Sequence, residues 1–66
     1  MFLARYDLTT GIISGLWEST DQATLALQIV VDDPTYGYLF VEDETLTATQ
    51  LQEDWQVVDG VLVPKP

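Results

Sequence analysis

Residues 2–17, with the sequence FLARYDLTTGIISGLW, predict a β-hairpin. Residues 2–6 alternate in bulk and polarity, which is typical of a strand, and residues 12–17 are expected to form the second strand. Asp7 is expected to begin the turn because its carboxylate can accept bonds from the backbone that follows. Gly11 is expected to end it because glycine readily adopts a positive φ. Gly15 interrupts the second strand and has no side chain to pack, so it indicates a bulge or a close neighbour.

Residues 55–63, with the sequence WQVVDGVLV, predict a second hairpin. The pair Asp59-Gly60 lies between two apolar runs, and a type I′ turn needs a positive φ at both of its central residues. Pro64 and Pro66 follow, and we expect them to stop strand pairing because proline has no N–H to donate.

The segment after the first hairpin predicts a short helix. Ser19 fits an N-cap and Gln22 completes a capping box, so the helix is expected over about 20–28. The alternation over residues 25–31 fits a strand as well, and the sequence leaves this choice open. Pro34 ends the element because the residue before proline disfavours helical backbone.

A strand and a second helix are predicted before the final hairpin. Residues 35–37 indicate a turn, and residues 38–42 form a strand with high β propensity. Thr47 and Gln50 fit a second capping box, so a helix of one to two turns is expected to reach about Asp54.

The predicted order ββ-α-β-α-ββ indicates a single α+β domain over residues 1–66. We expect a small antiparallel sheet of two hairpins plus a central strand, with one short helix packed on it. A chain of this size buries only about 60% of the surface that its unfolded form exposes. We therefore expect it to associate with copies of itself or with a larger protein.

The composition argues against catalysis, because the chain has no His and no Cys. No imidazole or thiolate is available as a base, nucleophile or metal ligand at neutral pH. The acidic pair Asp32-Asp33 and the run Glu42-Asp43-Glu44 could hold Ca²⁺ or Mg²⁺, but their spacing fits no EF-hand loop. Solvated loop acids are the preferred interpretation, so we expect a protein without enzymatic activity, metal or cofactor.

The net charge of −9, from 11 acidic and two basic residues, limits the possible partners. Nucleic-acid phosphates would repel such a chain, whereas a basic protein surface would attract it. The longest apolar run is far below the roughly 20 residues that a membrane span needs. Residues 1–7 lack the basic flank and apolar core of a signal peptide, so we expect no membrane partner and no secretion leader.

The aromatic residues divide into expected core and expected surface. Trp17, Phe40 and Trp55 are expected in the core, whereas Tyr36 and Tyr38 are expected to be exposed near a turn, where they could anchor a partner. An apolar strand at a sheet edge can pair with another chain, and the first strand, residues 2–6, is expected to do so. The predicted partner-binding residues are Phe2, Leu3, Tyr6, Tyr36 and Tyr38.

Two stretches resemble small bacteriophage virion proteins, including tail-fibre and tail-accessory components. Residues 5–13, RYDLTTGII, are similar to their Y-D-x-x-T-G-x-I hairpin, and residues 55–64, WQVVDGVLVP, are similar to their V-x-D-G-x-L-V-P ending. The resemblance implies a structural role in the virion, in many copies, bound to a larger capsid or tail protein. Residues 18–54 carry no part of this resemblance.

Two other functions are compatible with the composition. The chain could be an acidic inhibitor in the host cytoplasm that mimics the charge of DNA and blocks a basic nucleic-acid-binding protein. This function requires the following acids to form a stripe on one face: Asp32, Asp33, Glu42, Asp43, Glu44, Glu53 and Asp54. A small carbohydrate- or ion-binding module is the third possibility.

Overall fold

A computed structural model describes all of residues 1–66 and contains five strands and two short helices. The elements are β1 (Phe2–Asp7), β2 (Ile13–Glu18), α1 (Gln22–Ala26), β3 (Tyr36–Val41), α2 (Ala48–Glu53), β4 (Trp55–Val58) and β5 (Val61–Pro64). This order confirms the predicted ββ-α-β-α-ββ arrangement and the α+β class.

The two predicted hairpins lie in separate sheets. One sheet has three antiparallel strands in the order β2-β1-β3, and β4 and β5 form the other. The backbone N–H of Val57 donates to the Gly11 carbonyl oxygen at 2.9 Å, and Ile12 forms an isolated bridge with Gln56. The first turn therefore links the two sheets.

The first strand is central, so the expectation that residues 2–6 form a sheet edge is wrong. β1 pairs with β2 on one side and with β3 on the other. The physical reason lies in three consecutive apolar residues, Phe2, Leu3 and Ala4, all of which are buried. Because successive side chains point to opposite faces, this run needs cover on both faces, which a central strand obtains most easily.

The first turn forms as its sequence predicts. The Asp7 carboxylate accepts from the backbone N–H groups of Thr9 at 2.7 Å and Thr10 at 3.0 Å, and Gly11 has a φ of 77°. The register shifts after the pair of Arg5 and Gly15, which confirms a bulge beside this glycine.

Helix α1 is shorter than predicted and begins at a different cap. Asp21 is the N-cap, and its carboxylate accepts from the N–H of Ala23 at 3.0 Å. The Ser19 hydroxyl accepts from the N–H of Asp21 instead, so the predicted capping box with Gln22 does not form. Residues 27–31 are neither helix nor strand.

Helix α2 has the predicted capping box. The Thr47 hydroxyl accepts from the backbone N–H of Gln50 at 3.2 Å, and the side-chain oxygen of Gln50 accepts from the N–H of Thr47 at 2.9 Å. The helix continues to Glu53, and Asp54 is its C-cap, as the sequence indicates.

The Asp59-Gly60 turn is confirmed by φ angles of 53° and 77°. The expectation that Pro64 stops strand pairing is wrong. Pro64 is the last residue of β5 and pairs with Trp55. A strand end tolerates proline where no ladder N–H is needed.

The core lies on one face of the three-stranded sheet, which α2 and the β4–β5 hairpin cover. Its buried members are Phe2, Ala4, Ile13, Val41, Leu51 and Val57. Leu25 of α1 and Leu3 are buried outside this cluster, and α1 packs against β1. Trp17, Phe40 and Trp55, expected in the core, are only half-buried. Neither helix has the length and apolar character needed to span a bilayer.

Candidate interaction surface

The second face of the three-stranded sheet gathers the aromatic residues of β3. Directly opposed residues of an antiparallel pair lie on the same face of a sheet. The register places Arg5 opposite Tyr38 and Leu3 opposite both Trp17 and Phe40. Trp17, Tyr36, Tyr38 and Phe40 therefore share one face with Arg5, and we call these residues the aromatic face.

The Arg5 guanidinium lies over two rings of the aromatic face. Its guanidinium carbon is 4.5 Å from the ring centroid of Tyr36 and 5.9 Å from that of Trp17, within the range of cation–π attraction. Its Nη2 donates to the Ser14 carbonyl oxygen at 3.2 Å. A Cβ at Gly15 would lie 3.2 Å from Arg5 Nε, so this glycine leaves the space that the side chain occupies. Arg5 thus contacts two of the four rings of the aromatic face.

β3 is an open edge, because it pairs with β1 and no strand lies on its other side. The N–H of Leu8 donates to the Thr35 carbonyl oxygen at 3.0 Å, in register with the β1–β3 pairing. Bonded and non-bonded pairs alternate along an antiparallel ladder, so Gly37, Leu39 and Val41 face β1. The backbone groups of Tyr38 and Phe40 consequently point outward.

β3 also lacks the features that usually protect an edge strand. Charged residues, proline and bulges discourage pairing at sheet edges. β2 has the bulge next to Gly15 and ends at Glu18, and β5 ends at Pro64. β3 has the sequence YGYLFV, without charge or proline, and its register with β1 is regular throughout.

The structure separates the predicted partner-binding residues into two groups. Phe2 is 8% exposed and Leu3 is fully buried, which leaves them no surface for direct contact with a partner. Tyr6 is half-buried, and a Cβ at Gly37 would lie 2.5 Å from its Cζ, so its ring packs over this glycine. These three predictions followed from treating β1 as an edge, which it is not.

Tyr36 and Tyr38, by contrast, lie together on the open edge strand. Both are half-buried on the aromatic face. The predicted turn at residues 35–37 is corrected, because β3 already begins at Tyr36. The strand begins two residues earlier than predicted, which brings both tyrosines onto it, and it ends at Val41, so Glu42 lies outside it.

Several exposed apolar residues were missed in the sequence. Leu27 is 81% exposed, Val31 78% and Val30 57%, all in the connection between α1 and β3. Residues 25–31 fit both a helix and a strand, and a segment with such a mixed pattern can form an irregular connection instead. This mixed pattern is the one feature of the sequence that could have indicated the exposed residues. The other large exposed apolar residues are Leu8, Ile12, Val58 and Val61.

The acidic residues that a DNA mimic would need fall into three groups. Asp32-Asp33 precede β3, Glu42-Asp43-Glu44 follow it, and Glu53-Asp54 end α2. A six-residue strand is about 20 Å long, which separates the first two groups.

Several of these carboxylates have local structural roles. The Asp33 carboxylate accepts from the N–H of Thr35 at 2.8 Å and from that of Tyr36 at 3.2 Å. The Asp43 carboxylate accepts from the Thr45 hydroxyl at 2.6 Å and from its N–H at 2.9 Å. Hydrogen bonds from the Thr45 hydroxyl and backbone lower the pKa of Asp43, because they favour the ionised form.

The chain shows neither a metal-binding cluster nor a pocket. No group of three His, Cys, Asp or Glu side chains is arranged to hold a metal ion, and the surface forms no detectable cavity. Comparison with protein-family models, curated proteins and solved structures found no significant match to this chain.

Proposed function

We propose that this protein is a non-enzymatic structural or accessory component of a bacteriophage particle, bound in multiple copies to a larger capsid or tail protein. The observation that carries this proposal is the open edge of β3. A strand with free backbone groups and aromatic side chains is suited to binding another protein, since main-chain bonds supply affinity and side chains supply specificity.

The small core supports the proposal. Only nine of the 66 residues are buried, while large apolar residues such as Leu27 and Val31 remain exposed. Association with a larger protein would remove apolar surface from water and stabilise the chain. The similarity of residues 5–13 and 55–64 to hairpins of small virion proteins supports a location in the particle.

Analysis of purified particles tests this proposal. Particles of the phage whose genome encodes the chain would be isolated on a density gradient and analysed by quantitative mass spectrometry. We expect the chain in a fixed ratio to one capsid or tail protein. Recovery only in the fractions without particles would contradict the proposal.

The net charge of −9 supports a second candidate, an inhibitor that mimics the charge of DNA, but the acids it needs lie in three separate groups rather than in one stripe. Glu42, Glu44, Glu53 and Asp54 are all exposed. In this case a tagged chain would copurify with a basic nucleic-acid-binding protein, and added duplex DNA would displace it. Recovery with particles that duplex DNA does not displace would favour the structural role.

A further inference from the structure

We propose that β3 binds an extended segment of the partner protein as a fourth strand, and that this segment is uncharged in its middle and basic at both ends. The inference rests on the proposed binding function and specifies the chemistry of the partner. Three observations support it: the backbone groups of β3 that point outward, the acidic residues at both of its ends, and the lack of a charged residue, a proline or a bulge within β3.

The outward backbone groups give the docking site its length. Tyr38 and Phe40 each direct an N–H and a C=O away from β1. The N–H of Tyr36 is already bonded to the Asp33 carboxylate, so the ladder available to a partner begins at Tyr38. An incoming strand would form its backbone bonds with Tyr38 and Phe40, in the manner of β-augmentation, and would continue alongside the first half of β3 toward Asp33.

Acidic groups flank this ladder at both ends. Asp32-Asp33 precede β3 and Glu42-Asp43-Glu44 follow it, whereas residues 36–41 carry no charge. Lysine or arginine at each end of an added strand would meet opposite charge, and its middle would meet uncharged residues. Such complementarity favours one class of partner and speeds its association.

The same charges disfavour pairing between two copies of this chain. Antiparallel pairing of β3 with itself would set Asp32-Asp33 of one copy beside Glu42-Asp43-Glu44 of the other. Like charges placed opposite each other destabilise a strand pair. The acids thus disfavour self-pairing at an edge whose own residues include no charge, proline or bulge, and they favour a basic segment.

The experiment uses two peptides of about nine residues that differ only in their ends. Both have a middle of alternating valine and threonine, which suits a strand beside aromatic residues. One peptide has lysines at both ends and the other has glutamates. Each is titrated into the isotope-labelled chain while NMR follows the amide signals and their hydrogen exchange.

We expect binding of the lysine-ended peptide alone, with slowed exchange at the amides of Tyr38 and Phe40. Higher salt should weaken this binding because it screens the flanking charges. Equal binding of both peptides, binding of neither, or protection elsewhere on the chain would overturn the inference.

Two variants separate the backbone ladder from the charges. Tyr38→Pro removes the outward N–H of residue 38, which makes no hydrogen bond to β1, so this variant should fold but should not bind the peptide. The control Tyr38→Val keeps this N–H and should bind the peptide. Should Tyr38→Pro fail to fold by circular dichroism, the exposed pair Glu42→Lys with Glu44→Lys provides the test. We expect this double variant to bind the lysine-ended peptide about tenfold more weakly. Unchanged binding would overturn the inference.

Whether particles incorporate the chain and its variants distinguishes this inference from the proposed function. If particles incorporate folded Tyr38→Pro at the normal ratio, the chain is a particle component but does not bind through β3. If the lysine-ended peptide binds as expected while the chain is missing from particles, the edge is a basic-segment binding site and the virion role is wrong.

Discussion

Positive φ angles occur at four residues, and each lies in a turn or connection between strands or helices. They are Gly11, Asp32, Asp59 and Gly60. The two glycines share a φ of 77° but differ in their surroundings. A Cβ at Gly11 would collide with the Val57 carbonyl oxygen, whereas a Cβ at Gly60 would meet nothing within 4 Å.

This difference predicts unequal costs for the same substitution. Gly60→Ala should lower the free energy of unfolding by about 1 kcal/mol, the cost of a left-handed residue with a side chain. Gly11→Ala should lower it by about 3 kcal/mol, because it adds a backbone collision where the two sheets meet. Urea denaturation of both variants measures the difference, and equal losses would contradict the link between the sheets.

The lowered pKa of Asp43 predicts a titration effect at one residue. Thr45→Val removes the hydroxyl bond to the carboxylate and should raise the pKa of Asp43 toward its ordinary value. Thr45→Ser retains a hydroxyl and serves as the control. NMR titration of the Asp43 carboxyl carbon tests this, and identical titration of Thr45→Val and the parent chain would contradict it.

The direction of the associated stability change follows from linkage. A folded-state pKa below the unfolded value stabilises the fold above the unfolded pKa, which is about 3.9 for Asp. This contribution is lost as the pH falls through the lowered pKa. The stability difference between the parent chain and Thr45→Val should therefore be present near neutral pH and shrink in acid.

Among the elements, α2 depends on its cap. A helix of six residues is too short to be stable alone, so its packed Leu51 and its capping box hold it. Thr47→Ala should lower the free energy of unfolding by about 1 kcal/mol, since the N–H of Gln50 loses its acceptor. Thr49→Ala, within the same helix, should change stability little or raise it slightly. Equal effects in thermal unfolding would contradict the capping role.

The elements also show what could be predicted from the sequence. Both hairpin turns and the α2 cap were predictable because neighbouring residues determine them: Asp7 and Gly11, Asp59-Gly60, and Thr47 with Gln50. The central position of β1 in its sheet could not be predicted, because strand order depends on which elements distant in sequence pair with each edge of a strand. The structure buries Phe2, Leu3 and Ala4 on both faces of β1, and no local pattern points to β3 as the second neighbour.

The candidate surface was predictable only in part for the same reason. The residue type of Tyr36 and Tyr38 and their position near Gly37 indicate possible anchors for a partner. Their place on an open edge follows from the pairing of β3 with β1, to which no local sequence pattern points. The exposed residues Leu27 and Val31 were missed because exposure depends on the whole fold.

The whole molecule is a thin, strongly acidic slab. Its extents are 32 × 30 × 16 Å. Its two cations bond to backbone carbonyls, Arg5 to that of Ser14 and Lys65 to that of Gln52. Repulsion among the carboxylates therefore dominates the electrostatics of the fold.

This charge balance predicts that salt stabilises the chain. The Debye length falls from about 30 Å at about 10 mM salt to about 10 Å at about 100 mM, which is shorter than the long axes of the slab. The urea midpoint should rise over this range, and it should rise less for the Glu42→Lys and Glu44→Lys double variant. A midpoint that falls with salt would show that attractive pairs outweigh the repulsion.

Hydrogen exchange in the isolated chain tests most directly whether β3 is an open edge. NMR would compare the amides of Gly37, Leu39 and Val41, which face β1, with those of Tyr38 and Phe40, which face outward. We expect slow exchange at the first three and fast exchange at the other two in a dilute sample. Equally slow exchange at all five amides, at every protein concentration, would contradict it.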